Sequence, residues 1–407
     1  MLTENEKKLI DLADKTELIE LTQKLVQIDS VIRPETGNTE KNVVAFVSDW
    51  IEKEIGLKPL VEEVEPGREN VILTIDSGVP GPTLMFEGHT DVVSEGDPAE
   101  WTHGPFSGLV EGNKLYGRGS CDMKAGLAIN LLTVRTIMKS GIPFKGKLKL
   151  CIVCDEEGMM IGVKNFIKQG HAEGVDACLV SEPLDNELCL TMKGAIRAKV
   201  KVTGKMAHGC TPLFGINPNT RMARIILAYE EYENKLKEVH GCDEFLGWPS
   251  LTFTVVQAPP AGEPAQLNVM PRDAEAWIDI RTIPGQDHDQ IRSDLKAILK
   301  KLSESDSDFK AEIEYIEDRP VVSMERDEKI VTESHKAFKD LTGKEPTYNG
   351  VPGATDGTFL RAWAGIPCLV NGPGPRKLPH HVNEYADIDQ MWECYRWYLL
   401  TAIRFCN

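Results

Sequence analysis

No apolar run in this chain approaches the roughly 20 residues that a membrane helix needs. Nor is there a surplus of positive charge to grip a phosphate backbone. Lys and Arg number 46 against 63 Asp and Glu, a formal net charge of −17. Neither nucleic acid nor a membrane is therefore an expected partner. The opening stretch MLTENEKKLIDLADK is charged and has no apolar h-region, so no signal peptide is expected and the expected location is the cytoplasm. A disulfide framework is missing too. The ten cysteines are scattered, and several sit inside apolar runs, as free thiols do in a reducing compartment. Cys151 and Cys154 have CxxC spacing but no second pair, so they read as core and not as a metal or redox site. Internal repeats and low-complexity tracts are also absent. What remains is an ordinary globular composition, 41% hydrophobic over 407 residues, which is enough for two domains.

The first half alternates helix and strand. Val43, Phe46, Val47, Trp50 and Ile51 recur at helical spacing, with Gly56 as a stop. NVILTI (70–75) and PTLMFE (82–87) read as strands, and MKAGLAINLLTVRTIMKSG (123–141) as a helix ending at Gly141. The near-continuous apolar strands predict a sheet covered on both faces. Near residue 194 the pattern changes. In AIRAKVKVTG, Ile196, Ala198, Val200 and Val202 alternate with Arg197, Lys199, Lys201 and Thr203, a strand with one wet face. A helix at about 218–239, strands LTFTVVQA and AEAWIDIR, a helix at about 287–303 and the strand FKAEIEY (309–315) follow. That β-α-β-β-α-β order is ferredoxin-like. The expected division is 1–193 with 316–407 as one α/β domain with a mixed central sheet flanked by helices. Residues 194–315 are the inserted domain.

Five polar islands punctuate the larger domain: FEGHTDVV (His89, Asp91), GRGSCDMKAG (Asp122), DEEG (Asp155, Glu156, Glu157), SEP (Ser181, Glu182) and PHHVNEYAD (His380, His381). Three follow short apolar runs directly: TLMF, LKLCIVC and ACLV. In an open α/β sheet, ligands bind just beyond the carboxyl ends of the strands, so islands at three strand ends predict one shared site. Any one island alone is weak. An Asp-Glu-Glu run is usually a solvated helix start, and a lone His is usually a hydrogen-bonded core or surface residue. His103, His171, His240, His288 and His335 lack such a context and read as structural. Together, the islands hold enough imidazole and carboxylate for two divalent ions about 3.5–4 Å apart. One bridging Asp, two His and two Glu suffice, with a carboxylate left over as base. Asp91 can fix the tautomer of His89. Within the Glu156-Glu157 pair one residue can ligate while its neighbour takes a proton from the attacking water.

With these motifs the sequence closely resembles the cocatalytic-zinc amidohydrolases that include acetylornithine deacetylase, succinyl-diaminopimelate desuccinylase, aminoacylase and glutamate carboxypeptidase. The resemblance runs from about residue 15 to the end. It implies a zinc-peptidase-like catalytic domain interrupted by a ferredoxin-like lid that dimerises. It also implies two Zn2+ per subunit, for which Co2+ or Mn2+ can substitute. By the family pattern His89 of HTD is a ligand, Asp122 of GRGxxDMK bridges, and Glu156 is the general base. Glu157, Glu182 of SEP and His380 of HxxNE complete the ligand set, while His381 falls at a variable position. GKMAHGCTP matches the segment whose His, here His208, reaches the partner subunit's site and stabilises the oxyanion. Asn268 and Arg281, in LNVMP and WIDIR, match residues that bind the substrate's carboxylate. GVPGATDGTF, with Gly353, Thr355 and Asp356, matches a segment lining the substrate pocket.

Two positions refine the substrate. Desuccinylases of the family carry an Arg-rich stretch where this chain has TMKGAIRAK, and Met192 stands near that arginine position, which argues against a diacid substrate. Glu182 groups the chain with the family's carboxypeptidases and deacylases, since its aminopeptidases tend to have Asp there. The expected activity is hydrolysis of the amide of an N-acyl amino acid. A dipeptidase or carboxypeptidase on the same scaffold is the alternative, and a metal-dependent binding protein without turnover is the remote one. The intact Glu156 argues against the last.

Overall fold

A computed structural model describes residues 1–407 as two compact units: Met1–Leu190 with Met324–Gly350 and Thr355–Asn407, and Thr191–Ser323 with Val351–Ala354. The first unit is built on a mixed sheet. Its strands run Leu60–Glu65, Arg68–Asp76, Lys147–Val153, Thr83–His89, Ala177–Val180, Cys368–Val370 and Leu188–Met192 in spatial order. Thr83–His89 is parallel to both its neighbours, and Cys368–Val370 is parallel to Ala177–Val180. The pairs that involve Arg68–Asp76, and the pair of Cys368–Val370 with Leu188–Met192, are antiparallel.

The parallel centre explains the apolar runs. Every residue of Thr83–His89 and Ala177–Val180 is buried, because helices cover both faces and neither face meets water. Helix Ala125–Ser140 is buried almost all round, and it stops at Gly141, whose φ of +66° closes the C-terminus in the left-handed region. Helix Lys41–Ile55 buries Val43, Val44, Val47 and Ile51, leaves Phe46 and Trp50 partly covered, and ends at Gly56. The long helix Ile388–Phe405 seals the core. Trp397 is fully buried and donates to the carbonyl of Ser334 at 2.7 Å, and the Tyr395 hydroxyl meets Thr136 Oγ1 at 2.7 Å. Burying large side chains of this kind contributes about 1.5–3 kcal/mol each, with the polar ends satisfied as burial requires. Cys151 and Cys154 are buried free thiols.

The second unit is a four-stranded antiparallel sheet in the order Ser250–Gln257, Asp273–Thr282, Gly194–Thr203, Lys310–Arg319. Helices Pro218–His240 and His288–Glu304 join the strands into β-α-β-β-α-β, the ferredoxin-like succession. Ile196, Val200 and Val202 pack with Met222, Ile225, Tyr229, Ile291 and Leu295 on one face. The other face is a lattice of charge, with Arg197 on Glu317 at 2.6 Å and Lys199 on Glu275 at 2.8 Å. No helix of either unit is long and apolar enough to cross a membrane.

Candidate metal centre

Each donor is presented by a sheet end or a tight turn of the first unit. Strand Thr83–His89 stays buried to its last residue, so the imidazole of His89 emerges where the sheet stops. Its Nδ1–H donates to the carbonyl oxygen of Asp91 at 3.0 Å, which leaves Nε2 of the neutral ring as the free ligand atom. The Asp91 carboxylate lies further from that ring, at 3.5 Å, and accepts instead from the backbone N–H of Glu156 at 3.1 Å and of Glu157 at 3.0 Å. Asp91 thus joins the His89 strand end to the turn that carries both glutamates.

Asp122 sits in the turn Ser120–Lys124 that opens helix Ala125–Ser140, and its peptide to Met123 is cis. The buried carboxylate of Glu384 holds this turn. It accepts from the N–H groups of Gly119, Cys121 and Asp122 at 3.2, 2.9 and 3.1 Å, and pairs with Arg118. Glu182 follows strand Ala177–Val180, and Gly126 lets the helix approach it closely. A Cβ at Gly126 would lie 2.2 Å from the carbonyl oxygen of Ser181. His380 occupies a left-handed backbone conformation at φ +68°, between Pro379 and the strand Tyr385–Asp387.

These elements bring two donor groups together, and they share Asp122. His89, Asp122 and Glu182 have ligand atoms mutually within 4.8 Å, and so do Asp122, Glu157 and His380. His89 Nε2 is 3.3 Å from Asp122 Oδ1 and 3.8 Å from Glu182 Oε1. On the other side, His380 Nε2 is 3.5 Å from Asp122 Oδ2 and 3.1 Å from Glu157. Each oxygen of Asp122 thus faces a different imidazole. Two His and three carboxylates in this arrangement fit a pair of divalent cations of the zinc type, so the residues present suit the group. Glu156 is buried and belongs to neither donor set.

The charges of the cluster oppose one another. Burial lifts Glu156 well above the usual carboxylate range, and the charges of Asp356, Glu157 and Asp122 add to it. Burial, with Asp122 as the next contributor, raises Glu157 and Glu182 as well. Burial also pushes Asp122 up, but hydrogen bonds to His380 and His89 outweigh it and hold the carboxyl low. Hydrogen bonds to Asp122 and Glu157 lift His380 to about 10. Burial opposes charge on His89, yet its bonds to Asp122 and Asp91 raise it well above its ordinary value. The carboxylates that raise both imidazoles thus favour positive charge at each donor group.

The remaining predicted residues belong to neither donor group. His208 ends a two-residue strand paired with Val269 in the second unit. Its Nδ1 accepts from the N–H of Cys210 at 3.1 Å, which puts the ring hydrogen on Nε2. Asn268 is adjacent, its carbonyl accepting from Gly209 at 2.7 Å. Arg281 is on strand Asp273–Thr282, where Asp279 holds its Nε at 2.6 Å. Gly353 also falls in the second unit, whereas Thr355 and Asp356 belong to the first. Thr355 caps helix Asp356–Ala364. Asp356 is fully buried against Glu87, which burial lifts to about 8. Met192 is buried. Of the other histidines, His288 meets Asp318 at 2.6 Å and His171 meets Glu62 at 3.2 Å, apart from the donor groups. Sequence reasoning passed over Glu384 and Arg118. For Arg118 a signal was present, since a charge bounded by two glycines must be paired once buried.

Comparison with known proteins gives the same direction. A family model described as peptidase family M20/M25/M40 matches residues 85–404. Among curated relatives, a probable succinyl-diaminopimelate desuccinylase of Staphylococcus aureus (strain MSSA476) is 25% identical over 386 residues, covering 90% of this chain and 93% of that protein. Acetylornithine deacetylase of Aliivibrio salmonicida (strain LFI1238) is 28% identical over 375 residues, covering 91% and 93%. The crystal structure of an M20 family metallo-carboxypeptidase from Sulfolobus solfataricus superposes with a TM-score of 0.76 at 19% identity, covering 99% of this chain and 100% of that one, a likeness of fold. The family match spans both donor groups, and the chain belongs to peptidase family M20/M25/M40 as a metal-dependent amidohydrolase.

Proposed function

We propose that this protein is a two-zinc deacylase of N-acyl amino acids. The observation that carries the reading is the pair of donor groups sharing Asp122, with one buried carboxylate, Glu156, left outside both. His89, Asp122 and Glu182 would hold one cation, and Asp122, Glu157 and His380 the other. When bound, the cations supply Lewis acidity toward the scissile carbonyl and the attacking water, and offset the repulsion among the carboxylates. Glu156, whose carboxyl burial makes basic, takes the proton of that water and returns it to the leaving amine. Asp91 orients both the His89 ring and the backbone of Glu156.

The second unit supplies the substrate contacts in this reading. The Cys210 N–H on Nδ1 leaves the Nε2–H of His208 free to donate to the oxyanion, and the family resemblance assigns it to the partner subunit's site in a dimer formed through this unit. Arg281 and Asn268 would hold the substrate carboxylate, the guanidinium turning part of its fork away from Asp279. The protein would work in the cytoplasm. A hydrolysis screen of the zinc-reconstituted enzyme over N-acetyl, N-formyl, N-succinyl and N-carbamoyl amino acids, with dipeptides alongside, tests the proposal. Turnover of acyl amino acids is expected. Turnover of dipeptides alone would move the assignment to a dipeptidase, and none with any amide would refute it.

A further inference from the structure

Two residues upstream of every island are built into the turn that carries Glu156. Glu40 and Arg68 lie outside residues 85–404, the span the family model covers. Arg68 opens the strand Arg68–Asp76. Its Nε donates to both carboxylate oxygens of Glu40 at 3.1 Å, and its Nη2 reaches Glu40 Oε1 at 2.6 Å. The same Nη2 meets Asp155 Oδ1 at 2.7 Å. Glu40 is wholly buried at the start of helix Lys41–Ile55, so the guanidinium joins a helix end to the residue immediately before the proposed base.

Asp155 is the pivot of that turn. Its φ of +66° is a conformation that a residue with a side chain keeps only when its surroundings enforce it. Its Oδ2 accepts from the N–H groups of Met159 at 2.9 Å and Ile161 at 3.3 Å. Its backbone carbonyl takes those of Gly158 at 3.3 Å and Met160 at 2.7 Å. A Cβ at Gly158 would stand 2.4 Å from Asp155 Oδ1, so the chain wraps the carboxylate closely. Asn70, two residues after Arg68, holds both ends of the turn, accepting from Cys154 N–H at 3.2 Å and donating to the Gly162 carbonyl at 2.9 Å. From the other side Asp91 holds the Glu156 and Glu157 amides. Asp91 therefore holds the Glu156 amide itself, while Asp155 pins the part of the turn that follows it. Asp91 is fixed through its contact with His89, and Asp155 through Arg68.

We propose that Arg68, anchored by Glu40, is a positioning residue for the general base: it locks Asp155 and so sets the direction in which Glu156 meets the attacking water. The inference rests on Glu156 being the base. A guanidinium can bridge two carboxylates with a rigid fork, and an ammonium on a flexible stem cannot reproduce both contacts. Neither Arg68 nor Glu40 belongs to a donor group, and Asp91 still holds the Glu157 amide when the brace is lost.

Arg68→Met alone strands the buried Glu40 carboxylate and is expected to destabilise the protein strongly. The test is therefore the double variant Arg68→Met/Glu40→Gln, with Arg68→Lys and Glu156→Gln beside it, each loaded with zinc. The double variant is expected to keep its metal content, melting temperature and KM while kcat falls roughly 10- to 100-fold, the scale of a misplacement near 1 Å. Arg68→Lys should fall between it and the wild type. A double variant with wild-type kcat overturns the proposal. So does one in which kcat, metal content and melting temperature fall together, because that is a merely structural role. Sustained turnover by Glu156→Gln would instead strike the base assignment, which separates the two failures.

Discussion

Gly126→Ala is a substitution that helix propensity and close packing judge in opposite ways. In a helix, Ala is favoured over Gly by up to about 1 kcal/mol, so by propensity alone the change stabilises Ala125–Ser140. The added Cβ, however, would sit 2.2 Å from the Ser181 carbonyl oxygen, 2.7 Å from its Cβ and 3.1 Å from its carbonyl carbon. The first of these is roughly 1 Å short of an ordinary van der Waals contact. Backbone cannot swing aside as a flexible side chain can, so the helix and the Ser181–Glu182 turn must separate by about that much. Overpacking of this kind costs about 1–3 kcal/mol. The steric effect therefore equals or exceeds the propensity gain, and the melting temperature should fall by a few degrees at roughly 2–4 °C per kcal/mol. The effect on function should be larger. Asp122 opens this helix and Glu182 follows Ser181, so the displacement widens the group His89–Asp122–Glu182. Zinc titration of the metal-free variant, followed by calorimetry, should show one of the two binding events weakened, with a differential-scanning melt run in parallel. A variant that melts higher than wild type and binds zinc with unchanged affinity would refute the reasoning.

Glu156→Gln should keep its metal content and lose about 10²–10⁴-fold in kcat, the span of a general acid–base group; near-native turnover would remove Glu156 as the base. Metal uptake should release protons, because neighbouring carboxylates lift His380 to about 10 and His89 well above its ordinary value, and a ligating imidazole must be neutral. Affinity should therefore fall as pH falls, and calorimetry at pH 7 in buffers of different ionisation enthalpy should show heats that vary with the buffer; buffer-independent heats would contradict this. Arg281→Ala should erase the preference for substrates with a free carboxylate over their amides, measured as kcat/KM, and an unchanged ratio would place carboxylate recognition elsewhere.

Much of the architecture was legible because burial on both faces writes itself as uninterrupted apolar runs. Thr83–His89 and Ala177–Val180 are such strands, and the islands after them mark where the sheet ends. Strict alternation in Gly194–Thr203 likewise separated the wet face from the core of the second unit. Strand Leu60–Glu65 was not legible, since LVEEVE is an exposed edge whose charges hide its alternation. The short strands Leu109–Glu111, Lys114–Tyr116 and Tyr385–Asp387 are too brief to carry a period. Val44 joined the buried stripe of its helix although the spacing pointed to Phe46 and Trp50. In the site, residue type announced the donors, but supporting contacts depend on pairing across long separations. Nothing near Arg68 in sequence predicts that it meets Glu40 and Asp155, and Glu384 was hidden inside a motif whose histidine drew the chemistry. The close approach at Gly126 is equally invisible without the turn it faces.

The shared role of Asp122 is tested most directly by counting metal. Protein stripped with chelator, reconstituted with excess zinc and freed of loosely held ions should contain two zinc per chain by elemental analysis, and chelation should abolish activity in a manner that zinc restores. A count that stays at one would remove the paired centre. A count near zero, with activity indifferent to chelators, would contradict the account altogether.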